Sequence, residues 1–308
     1  MILIDSSNMT KPENQQKFLD SVFNDYLLML ENAKAKSYPQ FTKLLNYLSD
    51  VNGDIDKDKL KNLIIGDINV LKDAIDKVDK LTKEDLKSCP GSDLSTLYGK
   101  FTRRIGKDEW PTIIGIDTCP YCNRSYVYTV RGKNVRPDYD HFFPKSIYEY
   151  LCVSMFNLVP SCKQCNQLKK DDLKEIIYPF AEEFGSIGHF QIDYSKLKSF
   201  MDFLNPSEEV TIQLKIENGP LHDKIVNSNE KFRLEDLYKM HKDYTKDIIL
   251  LNQIYSDEFL DNLIKTYPWL SEYNTKDLLF INRLNPDEFG KRTLSKFTYD
   301  ILKQLNGE

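Results

Sequence analysis

Four of the six cysteines stand in two matched C-x-x-C pairs, Cys119/Cys122 and Cys162/Cys165. That spacing puts two sulfurs on one tight turn, and four thiolates close a tetrahedral structural zinc site. Such a site keeps no open coordination position, so its metal holds the fold and performs no catalysis. Pro120 and Asn123 suit the turn between the sulfurs. The gap between the pairs is wider than the ~15–20 residues of simple zinc ribbons, and a β-hairpin inserted between the knuckles is expected to fill it. Inside the gap lies Asp140-His141-Phe142-Phe143-Pro144-Lys145. The run Asn157-Leu158-Val159-Pro160-Ser161-Cys162-Lys163-Gln164-Cys165-Asn166-Gln167-Leu168-Lys169 follows it. Cys89 and Cys152 stand alone and read as small buried hydrophobes.

An Asp-His on a strand, an Asn at a loop end and a helix carrying a ligand position resemble the HNH (ββα-metal) endonucleases. The D-H-x-x-P and N-L-V-P-S-C-x-x-C-N-x-x-K texture is similar to the subgroup with a four-cysteine zinc site. The resemblance spans roughly a fifth of the chain. It implies metal-dependent hydrolysis of nucleic-acid phosphodiesters, with DNA the favoured substrate. That chemistry needs a base to activate water and a cation to stabilise charge on the phosphate and the leaving oxygen. By this resemblance His141 is the base, neutral at pH 7 if its pKa stays near ~6.5. Asp140 and Asn166 are expected to hold a catalytic Mg²⁺ or Mn²⁺ through hard oxygen donors. Asp140 neighbours His141 on a strand and so projects to the opposite face, reaching the metal only if the strand bends or ends there. Asn157 matches the central Asn that braces the family's loop. Lys169, one helical turn after Asn166, is expected to contact a phosphate, with Lys163 and Lys170 extending that contact. The sequence departs from the pattern at Asn166, where the family usually has His, and an amide oxygen is a harder and weaker ligand than imidazole.

The elements that must position these groups divide into three stretches. Residues 1–110 read as a helical scaffold or partner-docking region. Phe18, Val22, Phe23, Tyr26, Leu27 and Leu30 form one apolar helix face, and Leu94 to Arg104 is a further helix. Residues 111–180 read as the zinc-stabilised core. A strand is expected over Ser125–Val130, its turn at Arg131-Gly132-Lys133-Asn134, a second strand carrying Tyr139, Asp140 and His141, and a helix over Cys162–Lys174. Residues 181–308 are mixed and mainly helical, with a strand pair near Gly188–Tyr194 and Glu209–Ile216 and helices over Phe232–Leu263 and Leu294–Leu305. The fold class is therefore α+β: a compact ββα-metal core with a four-cysteine knuckle, flanked by helical regions. His189, His222 and His241 show no ligand spacing and read as structural.

The chain has 308 residues and a net charge of −5, which disfavours a diffuse polyanion binder. The distribution differs from the sum. Between Cys119 and Lys170 eight cationic side chains face three acidic ones, a balance of +5, which puts −10 on the remainder. No apolar run approaches the ~18–20 residues of a membrane-spanning helix, and the N-terminus has no signal-peptide pattern. A cytoplasmic location is expected, consistent with cysteines used for metal. The layout resembles the HNH nuclease subunits of Septu-type anti-phage defence, which implies an ABC-type ATPase partner. Two other readings stand beside it: a catalytically degenerate HNH zinc module that binds protein, and a stand-alone restriction-type HNH enzyme.

Overall fold

In the computed structural model, residues 1–133, 135–193 and 211–307 are described. The chain is mixed α+β, with two small antiparallel sheets. It divides into two units: residues 5–116 with 127–173, and residues 1–4 with 117–126 and 174–308.

The first unit is built on α1 (Pro12–Ala35). Proline at its first position loses no hydrogen bond there. Phe18, Val22, Tyr26 and Leu30 recur every three or four residues and are all buried. Helices α2 (Thr42–Leu48), α3 (Lys57–Ile65) and α4 (Ile68–Val78) follow. Asp56 and Asp67 cap α3 and α4 by accepting two backbone N–H groups each. After α5 (Lys83–Leu86) and α6 (Ser95–Phe101), a wide helical turn at Thr102–Gly106 leads to α7 (Glu109–Ile114). Helix α7 stops at Gly115, whose φ of +71° a side chain would resist. Phe18, Phe101 and Trp110 form the aromatic centre, with Phe18 4.7 Å from the Trp110 ring and 5.2 Å from Phe101.

Onto this scaffold pack β1 (Asp138–His141), β2 (Leu158–Ser161) and α8 (Lys163–Lys169). Strands β1 and β2 are antiparallel with Asp138 opposite Ser161 and His141 opposite Leu158. The strand expected over Ser125–Val130 does not form. Among the described residues there, only single bridges occur, Thr118 to Tyr126 and Val130 to Val135. The reason is pairing: β1 takes β2 as its partner, and Pro137, just before β1, has no N–H to extend a ladder backward. The helix expected over Cys162–Lys174 ends at Lys169, where Lys170 takes φ +49°.

In the second unit β3 (Gly188–Asp193) pairs antiparallel with β4 (Thr211–Ile216). Their alternation buries Phe190, Ile192, Ile212 and Leu214. The outermost residues expected in this pair, Tyr194, Glu209 and Val210, lie outside the described residues. Further helices follow: α9 (His222–Phe232), α10 (Leu234–Tyr238), α11 (Lys242–Ile254), α12 (Asp257–Thr266) and α13 (Thr275–Leu279). The last, α14 (Ser295–Asn306), lies on β3. Asp300 accepts from Phe190 N, and Gln304 both accepts from and donates to the Ile192 backbone. Side chains of α14 thus satisfy an edge that would otherwise be open. Among the described residues no helix is long and apolar enough to cross a membrane.

Candidate metal centre and the strand-helix site

The sulfur atoms of Cys119, Cys122, Cys162 and Cys165 all lie within 4.8 Å of one another. Sulfurs at ~2.3 Å from a zinc ion in a tetrahedron stand ~3.8 Å apart, so a small contraction completes the site. Four soft thiolates and no hard donor select zinc over magnesium or calcium. The local turns aim the sulfurs. Cys119 N donates to Ser125 O, and Asn123 N donates to Cys119 O at 2.7 Å. Arg124 N donates to Cys122 Sγ, and Cys162, the N-cap of α8, accepts from Cys165 N. Backbone N–H donors and a helix N-terminus both favour the thiolate.

Asn123 does more than suit a turn. It sits at φ +49° and is buried. Its amide nitrogen reaches Thr118 Oγ1 at 3.0 Å, Phe289 O at 3.0 Å and Arg292 O at 3.1 Å. Its side-chain oxygen accepts from Lys296 N, and its carbonyl accepts from Leu294 N. The tail segment Arg292–Thr298 thereby braces the Cys119/Cys122 turn. No spacing rule links positions 173 residues apart, so the sequence alone assigns that segment no role.

Alternation along β1 sends Asp138 and Asp140 to one face, Tyr139 and His141 to the other. Helix α8 covers the acidic face. Asn166 Nδ2 stands 3.5 Å from Asp138 Oδ2. Lys169 Nζ lies 3.2 Å from Asp140 Oδ2 and donates to His141 O at 2.8 Å. Both members of that ion pair are almost fully buried, with side chains 2% and 3% exposed. Lys169 therefore serves Asp140 as an internal counter-ion in this conformation, and does not stand at the surface. The oxygen donors on this face, Asp138, Asp140 and Asn166, suit a hard divalent cation in kind. A cation binding Asp140 has to displace the Lys169 ammonium.

On the other face the His141 ring packs edge-on against Tyr98 of α6, with centroids 4.8 Å apart. Its Nε2 is 3.0 Å from Cys152 O. A carbonyl only accepts, so Nε2 carries the proton and Nδ1 is the basic nitrogen. Burial pushes the His141 pKa down to about 3, helped by the nearby charge of Lys145. Lys145 Nζ sits 4.5 Å above the Tyr98 ring. Sequence reasoning misses Tyr98 and Lys145 as site residues, because Tyr98 belongs to a helical stretch with no chemical motif.

Asn157 ties together the loop that carries Cys152. Its side chain accepts from Phe143 N at 2.7 Å and donates to Phe143 O and Leu151 O. Tyr26 OH donates to Tyr150 O and Ser154 Oγ donates to Leu63 O, so α1 and α3 hold the same loop. Glu149 is buried within it, and its Oε1 has no hydrogen-bond partner. Burial pushes its pKa up to about 7. Cys89 and Cys152 are buried free thiols.

No known family model, curated protein or solved structure matches the chain.

Proposed function

We propose that the chain is a metal-dependent nuclease of the HNH type, hydrolysing nucleic-acid phosphodiesters, with DNA the favoured substrate. The observation that carries this reading is His141 at the end of β1, its Nε2–H tied to Cys152 O so that Nδ1 is the proton acceptor. An antiparallel pair followed directly by a helix supports it, because that order puts the Asp140 carboxylate and the Asn166 amide on elements packed together. His141, whose pKa burial holds at about 3 and which lies on the face of β1 opposite Asp140, takes the proton of the attacking water once that end of the strand opens to substrate. Asn157 fixes the loop that orients the imidazole, and Asp140 and Asn166 would hold Mg²⁺ or Mn²⁺ with Lys169 displaced. Such a cation, when bound, would supply charge stabilisation at the phosphate and the leaving oxygen. Zinc on the four cysteines is structural.

The −10 balance outside residues 119–170 supports a second element of the proposal, a partner that brings nucleic acid to the site. An ABC-type ATPase in an anti-phage defence system fits that role. Co-expression with a candidate ABC-type ATPase should yield a complex, and its failure to co-purify would remove this element while leaving the nuclease. One observation favours a rival reading, a retired HNH unit that binds protein: the Asp140–Lys169 pair is closed and buried. Incubating the purified chain with supercoiled plasmid and Mg²⁺ or Mn²⁺ separates the two. Nicking by the wild type and none by His141→Ala supports the nuclease; a zinc-loaded chain that never nicks, with or without the ATPase, supports the rival.

A further inference from the structure

Residues Val127–Arg136 leave the cysteine turn and run into β1, yet none of the described residues among them joins a strand. Val130 N donates to Val135 O and Lys133 N to Val130 O, closing a tight turn. That turn is tethered to the start of α7: Gly132 N donates to Asp108 Oδ1, and Arg131 Nη2 reaches Thr112 Oγ1. What the segment shows to solvent is unusual for a surface loop. Tyr128, Val130 and Val135 are 52%, 47% and 50% exposed. Arg131 and Lys133 are exposed beside them, and the segment contains no acidic residue. Burial raises the pKa of the Tyr98 hydroxyl, and the charge of Arg136 at the segment's inner end works against that rise. Tyr98 is the ring that carries Lys145 on its face and His141 against its edge. Cations therefore run from the tip of the turn to the rim of His141.

We propose that this segment, with Lys145, grips a single nucleic-acid strand and leads it to His141. Arg131, Lys133, Arg136 and Lys145 pair with successive phosphates, and Tyr128 offers a stacking face to one base. Cations tracking a backbone, interleaved with an exposed aromatic ring, are the combination that sequence-tolerant strand binding requires. The segment has no helix to enter a groove, so a single strand fits better than a duplex. The inference rests on the nuclease reading, and its test is arranged to fail separately.

The test uses the full zinc-loaded chain, a fluorescein-labelled oligo-dT of about 20 nucleotides, a length that spans one or more single-strand sites, and anisotropy titrations at rising KCl without added Mg²⁺. Arg131→Ala/Lys133→Ala should weaken binding ~10-fold and reduce the slope of log K against log salt by about 1.4, two contacts at about 0.7 each. Tyr128→Ala should weaken binding at least ~5-fold with the slope unchanged. Melting temperatures like the wild type's are required of each variant. Unchanged affinity and slope, with His141-dependent plasmid nicking intact, would overturn the grip and leave the nuclease standing. A wild type that does not bind would overturn the grip, and one that also fails to nick with or without the ATPase would overturn the nuclease reading as well. Equal loss of polyglutamate binding, with Tyr128→Ala silent, would assign the surface to an acidic protein and also overturn the proposal.

Discussion

Glu149→Gln should make the protein more stable above neutral pH, and the gain should vanish in acid. The Glu149 carboxyl is 1% exposed, and its Oε1 has no partner. Its pKa rises from 4.5 to about 7 because burial penalises the charged form. The sign follows from linkage. Between about pH 4.5 and 7 the folded chain keeps a proton that the unfolded chain has lost, so the group's contribution to stability falls as pH rises through that window and is flat above it. A shift of ~2.5 units corresponds to roughly 3 kcal/mol at most. Glutamine has nearly the same shape and no charge to desolvate. Urea unfolding of both proteins from about pH 5 to 8.5 gives the difference directly, and effects of the zinc site cancel in it. The variant should gain about 2–3 kcal/mol by about pH 8 and little at about pH 5. A difference that stays constant across the range would refute the claim that Glu149 is held neutral by burial.

Three further outcomes follow from the same geometry. Asn123→Gly keeps the φ of +49° open to the backbone and the bond from Leu294 N, but removes the side-chain brace to Phe289, Arg292 and Lys296; zinc affinity in chelator competition should fall ~10- to 100-fold. Lys169→Met leaves the buried Asp140 carboxylate without its cation and should cost about 3–5 kcal/mol in urea unfolding. Adding Asp140→Asn to it should recover most of that loss, since neither charge then remains buried. Asn157→Ala leaves Phe143 N and Phe143 O without their partner and takes from Leu151 O one of its two donors, the other being Ser154 N; it should cost about 2–4 kcal/mol, with faster hydrogen exchange confined to residues 142–157.

Local patterns predict local structure well here. The four-cysteine cluster is legible because C-x-x-C spacing is itself a geometric constraint, and β3 and α14 because their apolar periods are unbroken. Ser125–Val130 misleads for a physical reason. Its β-branched and aromatic content measures fitness for a pleated surface, and strand formation also needs a neighbour to pair with. Here the expected neighbour is β1, and it pairs with β2. Long-range contacts are illegible. Tyr98 against His141, and Asn123 against Arg292–Thr298, join positions that no periodicity connects. Lys169 shows the limit from the other side: its one-turn spacing from Asn166 puts both on one helix face, but only the packing of α8 on β1 shows that its ammonium meets Asp140.

The measurement closest to the central claim is single-turnover cleavage of supercoiled plasmid by the zinc-loaded chain in Mg²⁺ or Mn²⁺, beside a His141→Ala protein of equal zinc content and melting temperature. The predicted result is nicked circles that need the divalent cation and disappear in the variant, whose fold and zinc are intact. Equal nicking by both proteins would contradict it, since the Nδ1 left basic by the bond to Cys152 O would then have no part in the reaction.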